Sequence, residues 1–146
     1  GGEKITNIIK HLIKNKIPVM GHIGLLPQST KRFKVKGRSL IEKKKILKDA
    51  IAISDSGVFA IVIECVVESL AKIITKNVPI PTIGIGASKF CDGQILVIDD
   101  MLGLGDSAPK FVKKYANLNK VMKASVKNYV KDVKERRFPN LKNVYK

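Results

Sequence analysis

The chain has 146 residues, 45% of them apolar, and a formal net charge of +16 at pH 7. That length suffices for one modest domain with its own core, and no apolar run approaches the roughly 20 residues a membrane helix needs. The charge invites a nucleic-acid reading, but of 28 basic residues only Arg32, Arg38, Arg136 and Arg137 are arginine, the residue whose bidentate fork reads phosphates and bases.

Lys, Ile and Asn together are what AT-rich codons supply. The expectation is therefore a solvated lysine surface, with no specific nucleic-acid partner and no membrane, and weak non-specific binding at low salt. No signal peptide opens the chain, which begins at Gly1. The simplest expectation is a piece of a longer or processed polypeptide, cytoplasmic, with Cys65 and Cys91 reduced. The cysteines lack metal-ligand spacing, and His11 lies in a lysine-rich helix, so no zinc site is expected.

Helix and strand patterns alternate along the chain. Ile5, Ile8, Ile9, Leu12 and Ile13 form a helical stripe over 5–15. Pro18 introduces a strand over 19–23, and a polar loop follows over about 27–38. Ser39 is placed to cap a helix over 40–55, with Glu42 three residues later as in a capping box, and Gly57 to end it. The run Val58-Phe59-Ala60-Ile61-Val62-Ile63 predicts a strand buried on both faces, with Glu64 at its C-terminal end. A helix over 67–76, a strand over 82–85, a turn at Cys91-Asp92-Gly93 and a strand over 95–98 follow. The tail predicts a short helix near 109–115 and a longer one over 120–136, within a single unit.

This alternation implies an α/β fold with parallel strands and right-handed crossovers. A (β/α)8 barrel needs eight strands and typically about 250 residues, so four strands suit half of a TIM-type barrel or a small open sheet. Gly21-His22, Glu64-Cys65, Gly84-Ile85-Gly86 and Asp99-Asp100 are all expected at strand C-termini, where such folds place their chemistry.

Glu64 is the strongest chemical candidate at that rim. A carboxylate beside an apolar strand is partly withdrawn from water, which makes it a better base for a proton next to a carbonyl; the alternative is a solvated strand-end or helix-capping glutamate. His22, between Gly21 and Gly24, is placed to donate a hydrogen bond to an anionic or carbonyl oxygen, or to be a satisfied structural histidine. Gly84-Ile85-Gly86-Ala87 is either an oxyanion cradle or small-residue packing, and its spacing is not that of a dinucleotide fingerprint. Asp92-Gly93 is a turn signal first and a ligand contact second. Of the adjacent Asp99 and Asp100, at most one would face the site as a cation ligand.

The segments Gly21-His22-Ile23-Gly24-Leu25, Pro27-Gln28-Ser29, Lys34-Val35-Lys36-Gly37-Arg38, Glu64-Cys65-Val66, Ile83-Gly84-Ile85-Gly86-Ala87, Cys91-Asp92-Gly93-Gln94 and Pro109-Lys110-Phe111 occur in that order. Together they resemble the C-terminal half, or slightly more, of ketopantoate hydroxymethyltransferases. The resemblance implies the fifth to eighth strands of a (β/α)8 barrel. It also implies transfer of a one-carbon unit from 5,10-methylenetetrahydrofolate to 3-methyl-2-oxobutanoate, with a magnesium ion chelating the keto acid, and a homo-oligomer. It gives Glu64 the role of base and His22 that of substrate contact, and it places the magnesium ligands upstream of Gly1, so no metal ligand is expected here. Val67 stands where the family usually has proline, Ser88 where it has glycine and Leu26 where threonine is common. The loop between Ser29 and Lys34 looks shorter than the family's and lacks a glycine pair. These departures leave open a non-catalytic remnant, or the C-terminal half of a split enzyme pairing with another chain. With half a barrel's strands, two open sheet edges are expected.

Overall fold

The computed structural model describes residues 1–29 and 34–145, so the shortened loop noted above falls mostly outside the described residues. Contacts gather the chain into two compact units, Gly1–Ile95 and Leu96–Lys146.

The first unit is a four-stranded sheet in the order β1-β2-β3-β4, with every pairing parallel. The strands are β1 (Met20–Gly24), β2 (Ala60–Glu64), β3 (Thr82–Ile85) and β4 (Gly93–Gln94). Helix α1 (Thr6–Lys14) precedes the sheet; α2 (Leu40–Asp55) and α3 (Glu68–Asn77) are the crossovers from β1 to β2 and from β2 to β3. A four-stranded parallel sheet flanked by helices is the α/β arrangement expected, and it is consistent with half of a TIM-type barrel.

Register decides which side chains meet. Ile23 pairs with Ile63, and Ile61 with Thr82. These residues are at most 1% exposed and belong, apart from Thr82, to a core shared with Ile9, Ile46, Ala50 and Ile53 of the first two helices and Leu70, Ala71 and Ile74 of α3. Side chains alternate along a strand, so the residues between them face the other way. His22, Val62 and Ile83 form one row there, and Glu64 with Ile85 the next. His22, Val62, Glu64 and Ile83 on that face are only partly buried.

The strand ends are locally determined. Ser39 caps α2 by accepting from the Glu42 amide, as the sequence suggests. The Glu42 carboxylate does not complete the reciprocal box; it reaches back to accept from the amides of Gly37 (2.7 Å) and Arg38 (3.2 Å). Gly57, at φ +93°, closes the helix and donates to Ser54.

Three expectations fail towards the C-terminus. The last strand lies at Gly93–Gln94 rather than 95–98, and Ile98–Leu102 is a short helix, α4, so Asp99 and Asp100 sit in a helical first turn and not at a strand end. The cause is the turn: the Asp92 carboxylate accepts from the Thr82 amide (2.8 Å) and hydroxyl (2.9 Å), which sets Gly93 opposite Ile83. Ile95 adds one more bond to Gly84 before the ladder stops. Acidic side chains also suit the start of a helix. Third, 109–115 forms only a turn, with Val112 donating to Pro109; seven residues without packing do not repay helix nucleation. The second unit otherwise consists of α4 and a long helix, α5 (Leu118–Lys134), capped by the Asn117 side chain.

Candidate active site

Glu64 ends β2, and His22 lies on β1 opposite Val62, two residues before Glu64. Two residues along the neighbouring strand is the diagonal position on the same face, within reach of long side chains. His22 Nε2 accordingly lies 3.1 Å from Glu64 Oε2, with the two side chains 29% and 15% exposed. The atoms are at ion-pair distance but not aligned as a hydrogen bond, and His22 Nε2 is a buried polar atom without a hydrogen-bond partner. A buried nitrogen left in that condition is costly unless something else meets it. Burial pushes the His22 pKa down, and the Glu64 charge opposes this. The imidazole is thus biased towards its neutral form.

The backbone around Glu64 is closely held. Its carbonyl accepts from Leu25 (2.9 Å), and the next residue, Cys65, donates to Ile85 (2.9 Å). Gly24 passes so close that a side chain there would run into the Glu64 carbonyl, and its φ of +93° suits glycine alone. Beyond Cys65 the chain changes partner: Lys36 donates to the Cys65 carbonyl (2.7 Å), and Val67 donates to that of Lys36 (3.0 Å). Val67 has φ −55°, a value proline would also take, but a proline there could not make the second bond.

The remaining candidates separate from this pair. Gly84 faces the helix side and is a close-approach position, where a Cβ would meet the Gln94 amide at 2.9 Å. Asp92 lies at the opposite, N-terminal end of β3, where its hydrogen bonds with Thr82 hold its carboxyl below the usual range; it is a structural tie to the fully buried Thr82. Ser88 is buried and donates to Glu68 (3.2 Å), so the hydroxyl has a partner. Sequence reasoning placed Cys65 at the rim but missed its backbone ties, and it missed Lys36 and the reach of Glu42. Only Glu42 left a signal, its position three residues after a capping serine.

Among the described residues no three or more His, Cys, Asp or Glu side chains are grouped to hold a metal ion. Nor is any described helix long and apolar enough to cross a membrane.

One acceptor and one unpartnered ring nitrogen, side by side at the C-terminal rim of a parallel sheet, can accept a proton and hold an oxygen. A family model described as ketopantoate hydroxymethyltransferase matches residues 1–141. The chain belongs to the ketopantoate hydroxymethyltransferase family. It is similar to the 3-methyl-2-oxobutanoate hydroxymethyltransferase of Pelagibacter ubique, 54% identical over 99% of this chain and 56% of that protein. The enzymes of the same name from Pseudothermotoga lettingae and Clostridium botulinum are 51% and 49% identical over all of this chain, covering 57% and 54% of theirs. The chain therefore spans little more than half the length of these family members.

Proposed function

We propose that this chain supplies the base and one substrate contact of a 3-methyl-2-oxobutanoate hydroxymethyltransferase, acting in pantothenate biosynthesis. The observation that carries the reading is the Glu64–His22 pair at 3.1 Å on the rim, with its unpartnered nitrogen. The Glu64 carboxylate takes the proton from the carbon next to the ketone of 3-methyl-2-oxobutanoate. Neutral His22, with the proton on Nε2, donates to a substrate oxygen and meets the electron density that moves there. The carbon so exposed bonds to the one-carbon unit of 5,10-methylenetetrahydrofolate. One water supplies the hydroxyl oxygen, and 2-dehydropantoate and tetrahydrofolate leave. Magnesium belongs to this reading through the resemblance, with ligands outside residues 1–146, and no step here is drawn through it. A cytoplasmic homo-oligomer goes with the same reading.

The test separates proton removal from transfer. The chain together with the segment that carries the metal ligands, supplied with magnesium and the keto acid in deuterated water but without folate, should exchange the hydrogen next to the ketone. Glu64→Gln should lower that exchange, and turnover with folate, by about a hundredfold or more with the thermal unfolding curve in place. Unchanged exchange removes Glu64 from the role of base. Residues 1–146 alone are expected to show no turnover, since the metal ligands lie elsewhere; appreciable turnover would overturn that part.

A further inference from the structure

Cys65 is one of three non-glycine residues with positive φ among the described residues, at +50°, a region that side-chain-bearing L residues seldom occupy. It stands directly after Glu64, where the chain changes partners. Up to that point β2 is bonded to β1 and β3, ending in Leu25 N–H to the Glu64 carbonyl and Cys65 N–H to the Ile85 carbonyl, both 2.9 Å. In a strand that continued, the Cys65 carbonyl would stay with β3. It turns instead to the Lys36 amide at 2.7 Å, and Val66 forms an isolated parallel bridge with Lys36. A reversal within one residue needs the left-handed conformation, and the ties before and after it hold it there. The thiol has no chemical part in this: the side chain is buried, and burial, then the Glu64 charge, raise its pKa and keep it protonated.

We infer that Cys65 is a positioning residue, whose left-handed backbone, tied to Ile85 on one side and Lys36 on the other, holds the Glu64 carboxylate against His22. The inference rests on the reading of Glu64 as base for its catalytic meaning, but not for its geometry.

The experiment follows the ring signals of His22 by NMR titration in the full chain, with His11 as internal control. Variants are Cys65→Ala, Cys65→Gly and Cys65→Val, each with and without Glu64→Gln. Gly, which is at ease in the conformation, and Ala, which like Cys is unbranched at Cβ and adopts it at modest cost, should leave the His22 midpoint in place. Val, which is branched at Cβ and resists the conformation, should lower the midpoint, because the opposing Glu64 charge is withdrawn; with Glu64→Gln the Val effect should vanish, and His11 should not move in any variant. A folded Val variant with an unchanged His22 midpoint, or a shift that persists in the Gln background, overturns the inference. If Val does not fold, urea midpoints of Gly and Ala decide: Gly should lie above Ala because only it is at ease at positive φ. An equal or lower Gly midpoint overturns the inference. If instead Glu64→Gln leaves proton exchange unchanged while these shifts appear, the reading of Glu64 as base fails and the positioning stands.

Discussion

A histidine partly withdrawn from water beside a carboxylate is pulled two ways, and in His22 burial prevails over Glu64. Its folded pKa then lies below the unfolded value of about 6.5. Between the two values the unfolded chain binds more protons, so stability rises with pH there. This contribution is complete above about pH 6.5 and is lost as pH falls towards the folded value. Asp92 acts in the same sense lower down: its depressed folded pKa adds stability above the unfolded value of about 3.9, lost as acid protonates it. Urea midpoints should therefore fall between about pH 7 and pH 5, and His22→Gln should flatten that slope. A slope unaltered by the substitution would assign it to other groups. At this scale the two residues stood out singly, though not their contact: a strand of apolar residues that ends in Glu, and a His among glycines, are departures from pattern at predictable places. The backbone of Cys65 did not, because left-handed backbone is announced by glycine or asparagine, and here it is imposed by hydrogen bonds to residues distant in sequence.

Elements were legible where capping and packing agree with local pattern. Helix α2 begins and ends where Ser39 and Gly57 place it. β2 and β3 match their apolar runs to within two residues. The misreadings share a cause: Ile95, Val97 and Ile98 look like a strand but are exposed, and the ladder, anchored by Asp92 on Thr82, runs out before them. Glu42 shows how an element boundary reaches the site. Its carboxylate holds the Gly37–Arg38 amides, and Lys36 next to them carries the bond to Cys65. Glu42→Ala leaves the buried Gly37 amide without its acceptor, which should cost about 1–3 kcal/mol in urea denaturation. The His22 midpoint should move in the same variant if the hold transmits. Ser39→Ala, which removes only the cap, should cost about 1 kcal/mol and leave His22 alone.

At the scale of the chain, like charge dominates, +16 over these 146 residues. The described ion pairs offset little of it: Lys45 with Asp49 (2.6 Å) and Lys48 with Glu3 (3.0 Å) are surface contacts of small worth. Self-repulsion over such a surface is screened by salt. Raising sodium chloride from about 50 to 500 mM should raise the melting temperature by a few degrees. Any retention on duplex DNA at low salt should disappear by about 150 mM. A melting temperature that falls with salt would show that specific ion pairs outweigh the repulsion.

The order β1-β2-β3-β4 leaves β1 and β4 without outer neighbours among the described residues, and β1 is the longer of the two. Because side chains alternate, β1 carries more than backbone groups at that edge, where the His22 carbonyl accepts from the Gly1 nitrogen (2.6 Å). It also fixes a phase: a strand laid beside it has to send alternate residues to the helix-side core of Ile23 and to the face shared by His22, Val62 and Glu64. A neighbour shifted by one residue would exchange the two sets at once, sending the residues sized for the core over the site and the reverse. The edge therefore discriminates by parity as well as by sequence.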